Sequence, residues 1–304
     1  MNKVILYWSN ICVLNRIELA FLSEVKSELA SEGIDLEIRF FGLGYPCHMS
    51  EFLFDKSSEL PDMILSTDLE VFEDRRIYSR FEDSLYDISS WHPIKPSEPI
   101  QSLVRDPRLM PYLAIPLLFS AREKQVSSLK NVIGTDVSFG GIDNSAAKSV
   151  VKTVWYLYGR NAAVALLRNA SVMPMPIAAF QRVRTGQSSL AIVPSLFALS
   201  DEAFRPYMPE EGAIAIPSYI AVRKTISAEV GRRVIRALNS EGFLKMYAEK
   251  GKMLTASAGS PDSEWFDDMN GKLVLPDEAF ISLIDPLEFY GLYSEYIPGA
   301  HVLG

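Results

Sequence analysis

Short apolar strand patterns alternate with longer helix patterns along the first half of the chain, and this alternation restricts the fold more than any other feature. Residues 3–8 form an apolar run bounded by Ser9 and Asn10, which is typical of a buried strand. Residues 34–41 have the alternation of a second strand, and residues 63–65 form a third. Strand, helix, strand order with connections of this length predicts a parallel α/β sheet.

The first predicted helix connects the first two of these strands. Asn15, followed three residues later by Glu18, resembles a capping box at a helix start. The apolar face is predicted from a four-residue repeat, which consists of Ile17, Phe21, Val25 and Leu29. Gly33 is expected to end the helix, because glycine is favoured just beyond a helix C-terminus.

A second α/β region follows a stretch with many prolines. Prolines recur through residues 92–116, which argues against a long helix there. The further strands are predicted at residues 137–141 and 189–193, and the further helices at residues 146–158, 177–185, 228–238 and 242–250. Residues 112–121 and 212–222 are long apolar segments, interpreted as extended crossings between the two regions. The tail after Pro261 is aromatic and irregular, and no helix is predicted there.

These patterns together predict an α/β protein with two lobes, each a mixed sheet flanked by helices, joined by the two crossing segments. We expect lobe 1 to comprise residues 1–113 and 221–304, and lobe 2 to comprise residues 114–220. Small-molecule sites commonly lie in the cleft between such lobes.

The overall charge and the rare residue types exclude several classes of function. Thirty lysines and arginines against thirty-eight acidic residues give a net charge of −8, which argues against nucleic-acid binding. Two cysteines and three scattered histidines provide no zinc pattern and no disulfide framework, so neither a metal nor a cofactor is expected. No apolar run approaches the ~20 residues of a membrane helix.

The N-terminal residues predict the location of the protein. The apolar run of residues 4–8 is too short for a signal peptide, and no small-residue cleavage site follows it. As written, the sequence therefore predicts a cytoplasmic protein. If a signal segment is missing from it, a periplasmic or cell-surface location is expected.

Four segments in this order resemble the type II periplasmic solute-binding proteins of ABC transporters, in the group that includes ferric-iron and molybdate binders. The segments are LPDMILST (60–67), AIPLLFS (114–120), GQSSLAIV (186–193) and EGAIAIPSYI (211–220), the last followed by the helices of residues 228–251. The resemblance covers most of the chain. It implies a monomeric two-lobe protein that captures a small ligand, an anion or a metal complex, in an interlobe cleft and delivers it to an ABC permease.

The sequence departs from that group in two respects. Family members are normally exported, whereas no export signal is recognised here. The ferric-binding members share an adjacent tyrosine pair, whereas this chain has Ser195 and Phe197 in the corresponding region and no Tyr-Tyr pair. This departure argues against binding of bare ferric ion.

Polar residues that follow the strands, or open the helices, are the candidate ligand-binding residues. Exposed N–H groups and the helix dipole at such positions favour anions. The candidates are Ser9, Asn10, Ser66, Thr67, Asn144, Ser145, Ser195 and Tyr219. The alternative for the serine, threonine and asparagine residues is ordinary helix capping.

Two further clusters are interpreted as structural. Cys47, His48 and Met49 are potential soft metal ligands, but adjacent side chains diverge, so a loop with a buried thiol is the preferred interpretation. The acidic run from Asp68 to Asp74, followed by two arginines, is interpreted as a solvated helix start.

Catalysis is the main alternative function. The sequence contains no GxSxG, P-loop, GxGxxG or HExxH motif, so no catalytic residue is assigned. An enzyme on the same fold could use Cys12, which follows the first strand, although no histidine can be assigned as its partner. A cytosolic ligand sensor is the third possibility, and the missing export signal favours it.

Overall fold

The computed structural model describes residues 2–93, 96–124, 126–256 and 264–303. Strands and helices alternate along most of this chain. In chain order they are β1 (Asn2–Ser9), α1 (Asn15–Ser31), β2 (Ile34–Phe41), α2 (Met49–Phe54), β3 (Met63–Ser66), α3 (Glu70–Glu73), α4 (Arg75–Tyr78), α5 (Glu98–Gln101), β4 (Met110–Ala121), α6 (Leu129–Val132), β5 (Val137–Gly140), α7 (Ser145–Tyr158), α8 (Arg160–Asn169), β6 (Ser171–Met173), α9 (Pro176–Arg184), β7 (Leu190–Pro194), α10 (Ser195–Ala198), β8 (Arg205–Tyr207), β9 (Ala213–Val222), α11 (Ala228–Leu238), α12 (Glu241–Gly251), β10 (Leu254–Thr255), α13 (Glu264–Asp268), β11 (Leu273–Val274), α14 (Glu278–Leu283) and α15 (Pro286–Tyr296). Among the described helices, none is both long and apolar enough to cross a bilayer.

The chain divides into two compact units. Unit 1 comprises Met1–Ala114 and Pro217–Asp262, and unit 2 comprises Ile115–Ile216 and Ser263–Gly304. The chain passes from one unit to the other within β4 and within β9, the two segments that the sequence analysis interpreted as crossings.

The sheet of unit 1 is built around parallel strands. Its strand order is β2-β1-β3-β9, in which β1 is parallel to β2 and β3, and β9 is antiparallel to β3. In this register Ser9 lies opposite Phe41, and Ser66 lies opposite Tyr219. The polar residues that end β1 and β3 therefore lie at the same edge of the sheet.

Strand β1 is buried on both of its faces, which explains its uninterrupted apolar sequence. Tyr7 and Trp8 point to opposite faces because successive side chains of a strand alternate. Tyr7 packs against Phe52 of α2, with ring centroids 5.8 Å apart, whereas Trp8 stacks on Phe243 of α12 at 5.9 Å. Both side chains are almost fully buried. Helices thus cover each face of the sheet.

Helix α1 differs from its prediction in its first turn and in its buried face. Leu14, and not Asn15, is the N-cap residue, and it makes no side-chain capping hydrogen bond. The buried residues are Glu18, Leu22, Val25 and Leu29. Ile17 is exposed. In the first turns the buried face is shifted by one residue from the predicted one, and it includes the carboxyl group of Glu18, which a purely apolar pattern does not select.

In unit 2 the strand order is β4-β7-β5-β6; β5 is parallel to β7 and β6, and β4 is antiparallel to β7. Two short strands lie off this order, because β8 pairs with β4 and β11 pairs with the first residues of β9, Ala213 and Ile214. One face packs against α9 and α10 through an apolar cluster that includes Phe180, Val193 and Phe204. Helix α7 has a buried apolar side in the same unit.

The C-terminal tail is helical and belongs to unit 2, where the sequence analysis expected an irregular segment of lobe 1. Residues of α15 pack on α7: the rings of Trp155 and Phe289 lie 6.4 Å apart. The Tyr293 hydroxyl donates to the carbonyl of Ile142 at 2.8 Å. These aromatic contacts bury one side of α15, where Phe289, Leu292 and Tyr293 follow a helical spacing that the sequence analysis did not use.

Replacing a buried leucine of α1 should destabilise the protein more than replacing an exposed one. Leu22 is 1% exposed and Leu19 is 40% exposed on the same helix. We expect Leu22→Ala to lower the free energy of unfolding by about 2–4 kcal/mol, because it leaves a cavity. Leu19→Ala should cost less than about 1 kcal/mol. Urea unfolding followed by circular dichroism measures both, and equal losses would contradict the assigned buried face.

Candidate functional site

Two predicted ligand residues meet where the parallel strands of unit 1 end. The Oγ atoms of Ser9 and Ser66 lie 2.6 Å apart, and both side chains are buried. Ser66 Oγ also accepts the N–H of Asp68 at 2.9 Å, which shapes the turn after β3. The two hydroxyls share one hydrogen bond, in which either can be the donor, so one O–H remains; if it is that of Ser66, the Asp68 carbonyl lies 3.5 Å from its Oγ. This O–H can therefore be donated to a bound oxyanion.

Asn10 connects the loop after β1 to the loop after β2. Its backbone N–H donates to Phe41 at 3.0 Å, and its Nδ2 donates to the Leu43 carbonyl at 3.2 Å. Its Oδ1 is buried and has no hydrogen-bond partner in the part of the chain that the structure describes. A buried amide oxygen without a donor is unusual in a folded protein, so it is a candidate acceptor for a ligand N–H or O–H.

The acidic run after β3 is buried, so its interpretation as a solvated helix start was wrong. Glu70, Glu73 and Asp74 are each at most 9% exposed. The Asp68 carboxylate accepts the N–H of Ser50 at 2.9 Å and so joins two loops of unit 1. Thr67 is half-buried between Ser66 and this carboxylate. The carboxylates of Asp68, Glu73 and Asp74 accept from Ser50, Arg105 and Arg76 respectively, and the first two of these pairings join segments that are distant in sequence.

Arg105 is a candidate ligand residue that the sequence analysis missed. Its Nη1 donates to Glu73 Oε1 at 2.9 Å, and its side chain is 12% exposed. Its Nε and Nη2 are buried without a hydrogen-bond partner within the described residues. Unsatisfied buried guanidinium donors are costly, and an anion satisfies them well. Nothing in the sequence distinguishes Arg105 from Arg108, which pairs with Asp106 at 2.7 Å.

Tyr219 supports the segment that contains Arg105. Its hydroxyl donates to the Leu103 carbonyl at 2.9 Å, and the residue is 2% exposed. Burial raises the pKa of Tyr219 to about 12. The structure therefore uses the phenol as a neutral donor to the backbone of unit 1.

Glu18 lies below the loop that follows β1. Its carboxyl accepts the N–H of Ile11 at 3.0 Å and the hydroxyl of Tyr247 at 2.6 Å. Burial raises the pKa of Glu18 to about 7, and the nearby donors Tyr247, Ile11 and Trp8 lower it less than burial raises it. The sequence analysis placed Glu18 in a capping box with Asn15. In the structure its carboxyl instead accepts from Ile11 and Tyr247, because the loop folds back over α1.

Cys12 lies in this loop and is exposed. Partial desolvation of its sulfur, with a smaller contribution from the Glu18 carboxyl, raises the pKa of the Cys12 thiol. A raised pKa lowers the thiolate fraction, and the thiolate is the nucleophile. The raised pKa of its thiol thus gives no support to Cys12 as a catalytic residue.

The predicted residues of unit 2 lie at helix N-termini. Asn144 is the N-cap of α7, and its Oδ1 accepts the N–H of Ala146 at 2.8 Å. Ser145 begins α7, and Ser195 begins α10; both are buried. The Asn144 side chain therefore has the helix-capping role that the sequence analysis gave as the alternative to ligand binding. Its Nδ2 amide can donate a hydrogen bond to a ligand.

The Cys47-His48-Met49 segment is a helix entry. The His48 N–H donates to Glu51 Oε2 at 2.9 Å at the start of α2, and Met49 is fully buried. Among the described residues, no group of three or more histidine, cysteine, aspartate or glutamate side chains could hold a metal ion.

Several solved periplasmic binding proteins have the same fold as this chain. A ferric binding protein from Campylobacter jejuni aligns at 12% identity with a TM-score of 0.68, over 97% of this chain and 99% of that one. A periplasmic thiamin binding protein aligns at 11% identity and TM-score 0.65, over 97% and 96%. AfuA from Actinobacillus pleuropneumoniae, with fructose-6-phosphate bound, aligns at 14% identity and TM-score 0.60, over 98% and 99%.

These likenesses confirm the fold that the sequence resemblance implied. The shared fold is that of periplasmic solute-binding proteins, and the alignments span nearly the whole length of each chain. No protein-family model and no curated protein matches the sequence. At such low identity, the likenesses establish the fold alone, and the function has to be argued from the site.

Two neighbouring glycines test whether the Asn10 side chain is held in its place. Gly42 and Gly44 both have positive φ angles, of +110° and +90°. A Cβ on Gly42 would lie 2.5 Å from Asn10 Oδ1, whereas a Cβ on Gly44 would meet nothing within 4 Å. We expect Gly44→Ala to cost about 1–2 kcal/mol of unfolding free energy from backbone strain. Gly42→Ala should cost at least about 1 kcal/mol more, because it also displaces Asn10. Equal losses of unfolding free energy for the two variants, measured by urea unfolding, would show that the Asn10 side chain can move aside at no cost.

Proposed function

We propose that this chain is a solute-binding protein that captures a small molecule with an anionic group for an ABC-type transporter. The observation that supports this most is Arg105 of unit 1, whose Nε and Nη2 are buried with no hydrogen-bond partner among the described residues. The spare O–H of the Ser9 and Ser66 pair is a second donor in the same unit. Solved proteins with this fold are named as binding proteins for ferric ion, thiamin and a sugar phosphate, which favours a binding role.

The charge of the chain decides how an anion can be held. With a net charge of −8, long-range electrostatic steering does not attract an anion. Affinity has to come from short-range donors in a desolvated site, where a hydrogen bond to a charged group contributes about 1.5–3 kcal/mol. Buried donors such as Arg105 meet this requirement better than surface lysines.

The ligand is proposed to have a donor group as well as an anionic group. The buried Oδ1 of Asn10 can only accept a hydrogen bond, so a bare oxyanion leaves it unsatisfied. A hydroxylated or aminated molecule with a carboxylate, sulfate or phosphate group would satisfy both Asn10 and Arg105. Bare ferric ion fits less well, since the Tyr219 hydroxyl is bonded to the Leu103 carbonyl and no tyrosine pair is present.

The alternative functions have less support. An enzyme that uses Cys12 would require a thiolate, and the pKa of that thiol is raised. A cytosolic sensor would use the same ligand-binding residues, and only the location would differ. We propose a periplasmic or cell-surface location and an ABC permease as partner, since the thiamin binding protein and AfuA, which have this fold, are named as periplasmic. A monomer is proposed as the binding unit.

Arg105 and Arg108 form a matched pair for testing the anion contact. Each pairs with a carboxylate, and they differ in the unpartnered nitrogens of Arg105. Lysine keeps the charge but loses the guanidinium fork. We expect Arg105→Lys to weaken sulfate, phosphate or carboxylate binding by about ten- to a hundredfold, and Arg108→Lys to leave it unchanged. Calorimetry measures both. Equal effects of the two variants would mean that Arg105 is only a partner of Glu73.

One substitution in each unit tests the predicted loop residues. Thr67→Ala in unit 1 and Ser145→Ala in unit 2 should each weaken binding of the ligand by about one to two powers of ten. Matched controls are Thr185→Ala and Ser200→Ala, whose hydroxyls donate to carbonyls of Gln181 and Phe197 at helix ends.

Calorimetry with sulfate, molybdate, phosphate and small carboxylates would measure these variants. The controls should bind as the parent does. If Thr67→Ala and Ser145→Ala also bind as tightly as the parent, both residues are only turn or cap residues.

A further inference from the structure

One buried carboxyl group joins the loop of residues 10–14 to helix α12, and the proposed function does not account for it. Glu18 Oε2 accepts the N–H of Ile11 in the loop, and Oε1 accepts the hydroxyl of Tyr247 on α12. Glu18 and Tyr247 are each 1% exposed. The loop begins with Asn10, the candidate acceptor for the ligand. Any movement of the loop away from α1 therefore breaks the Ile11 contact and admits water to the carboxyl.

The surroundings of Glu18 do not balance a negative charge. The titratable groups that its charge reaches are Tyr247 on α12, Tyr112 on β4 and Cys12 in the loop. Within the described chain, no lysine or arginine forms an ion pair with it. All three neighbours are neutral or become anionic, so none of them stabilises a carboxylate by charge.

We propose that Glu18 is a positioning residue, which holds the loop of residues 10–14 in place while its carboxyl is neutral and allows the loop to open when it ionises. A neutral acid can donate its O–H to the Tyr247 oxygen and accept the Ile11 N–H, so both contacts persist. An ionised carboxylate in the closed loop still accepts from these two donors, but it has no water around it to stabilise its charge. The consequence for ligand affinity rests on the proposed function, because Asn10 belongs to this loop.

The direction of the pH dependence follows from linkage. In the closed loop the pKa of Glu18 is about 7, because of burial, whereas a hydrated carboxyl in the open loop has the ordinary value of 4.5. The open state thus binds fewer protons between these two values, and rising pH favours opening. If opening hydrates the carboxyl fully, the opening equilibrium increases by up to about 70-fold between pH 5 and pH 8. A ligand that requires the closed loop should bind more tightly at the lower pH and take up protons near neutral pH.

Hydrogen exchange of the full chain, read by mass spectrometry on peptides that cover residues 9–15, tests this at pH 5, 6, 7 and 8. After correction for intrinsic rates, exchange measures rare loop openings directly. We expect protection of the loop to fall as pH rises through neutrality. Glu18→Gln cannot ionise and should show a flat profile. Tyr247→Phe should move the transition to higher pH, because the lost hydroxyl stabilised the carboxylate.

Two controls separate loop opening from general effects. Glu229→Gln changes a carboxylate on α11 that is largely exposed and pairs with Arg233, and it should leave the transition in place. A peptide that covers β7, in unit 2, should show no matching change. A flat parent profile, a transition that persists in Glu18→Gln, or an equal change in the β7 peptide would overturn the proposal.

Calorimetry with glycolate at pH 6 and pH 8 separates this inference from the proposed function, since glycolate has a hydroxyl for Asn10 and a carboxylate that does not titrate in that range. Tighter glycolate binding to the parent at pH 6, with no such difference in Glu18→Gln, supports the positioning role. Glycolate binding whose pH dependence is the same in both proteins overturns that role. If no anion binds while the exchange transition is present, the proposed function fails and the loop mechanism stands.

Discussion

The burial of strand β1 on both faces is the constraint on which unit 1 depends. Tyr7 and Trp8 point in opposite directions and each packs on aromatic rings from a different helix. This requires helical layers on both sides of the sheet and places β1 between β2 and β3. Large aromatic side chains bury much apolar surface, so the central strand is held firmly in register. The loop that leaves β1 therefore begins from a fixed point.

That fixed point determines where polar groups can lie. Because β1 and β3 are parallel and in register, Ser9 and Ser66 are adjacent at their ends, close enough to share a hydrogen bond. Asn10 then reaches across to the loop after β2. Backbone and side-chain groups satisfy much of the hydrogen-bonding capacity at this edge, and among the described residues the Asn10 Oδ1 there has no partner. An unsatisfied acceptor at a rigid sheet edge, in a unit where Arg105 pairs with Glu73 through Nη1 alone, supports the ligand-binding role proposed above.

Glu18 shows how one residue can affect both folding and binding. A carboxyl in this position is costly when it is charged, because it has lost water and gained no cation. It nevertheless anchors the loop that contains Asn10 and Cys12, through the N–H of Ile11. A neutral glutamine could fill the same space and make the same contacts. The ionisable group at this point is the basis of the pH sensitivity that we propose for the loop.

The sequence by itself determined the longer strands, the helices α1, α7, α9, α11 and α12, and the order in which they occur. Apolar runs and glycine or proline punctuation act over a few residues, so β2 and α11 were predicted at their observed bounds. Four segments in their order resembled type II periplasmic binding proteins, and the solved structures confirm that fold. The loops after β1 and β3 were predicted as candidate binding segments, because strand ends can be read from the pattern alone.

Only the tertiary structure decided which polar groups are buried and which of them have partners. The acidic residues Glu70 and Glu73 resemble a solvated helix start in sequence, yet they are buried, and Glu73 pairs with Arg105 thirty-two positions away. Glu18 resembles a capping residue, yet it accepts from Tyr247, which is 229 positions away. The packing of α15 on α7, which joins Phe289 to Trp155, likewise links segments more than a hundred positions apart. Burial and pairing of charges depend on contacts between distant segments, so no local pattern could predict them.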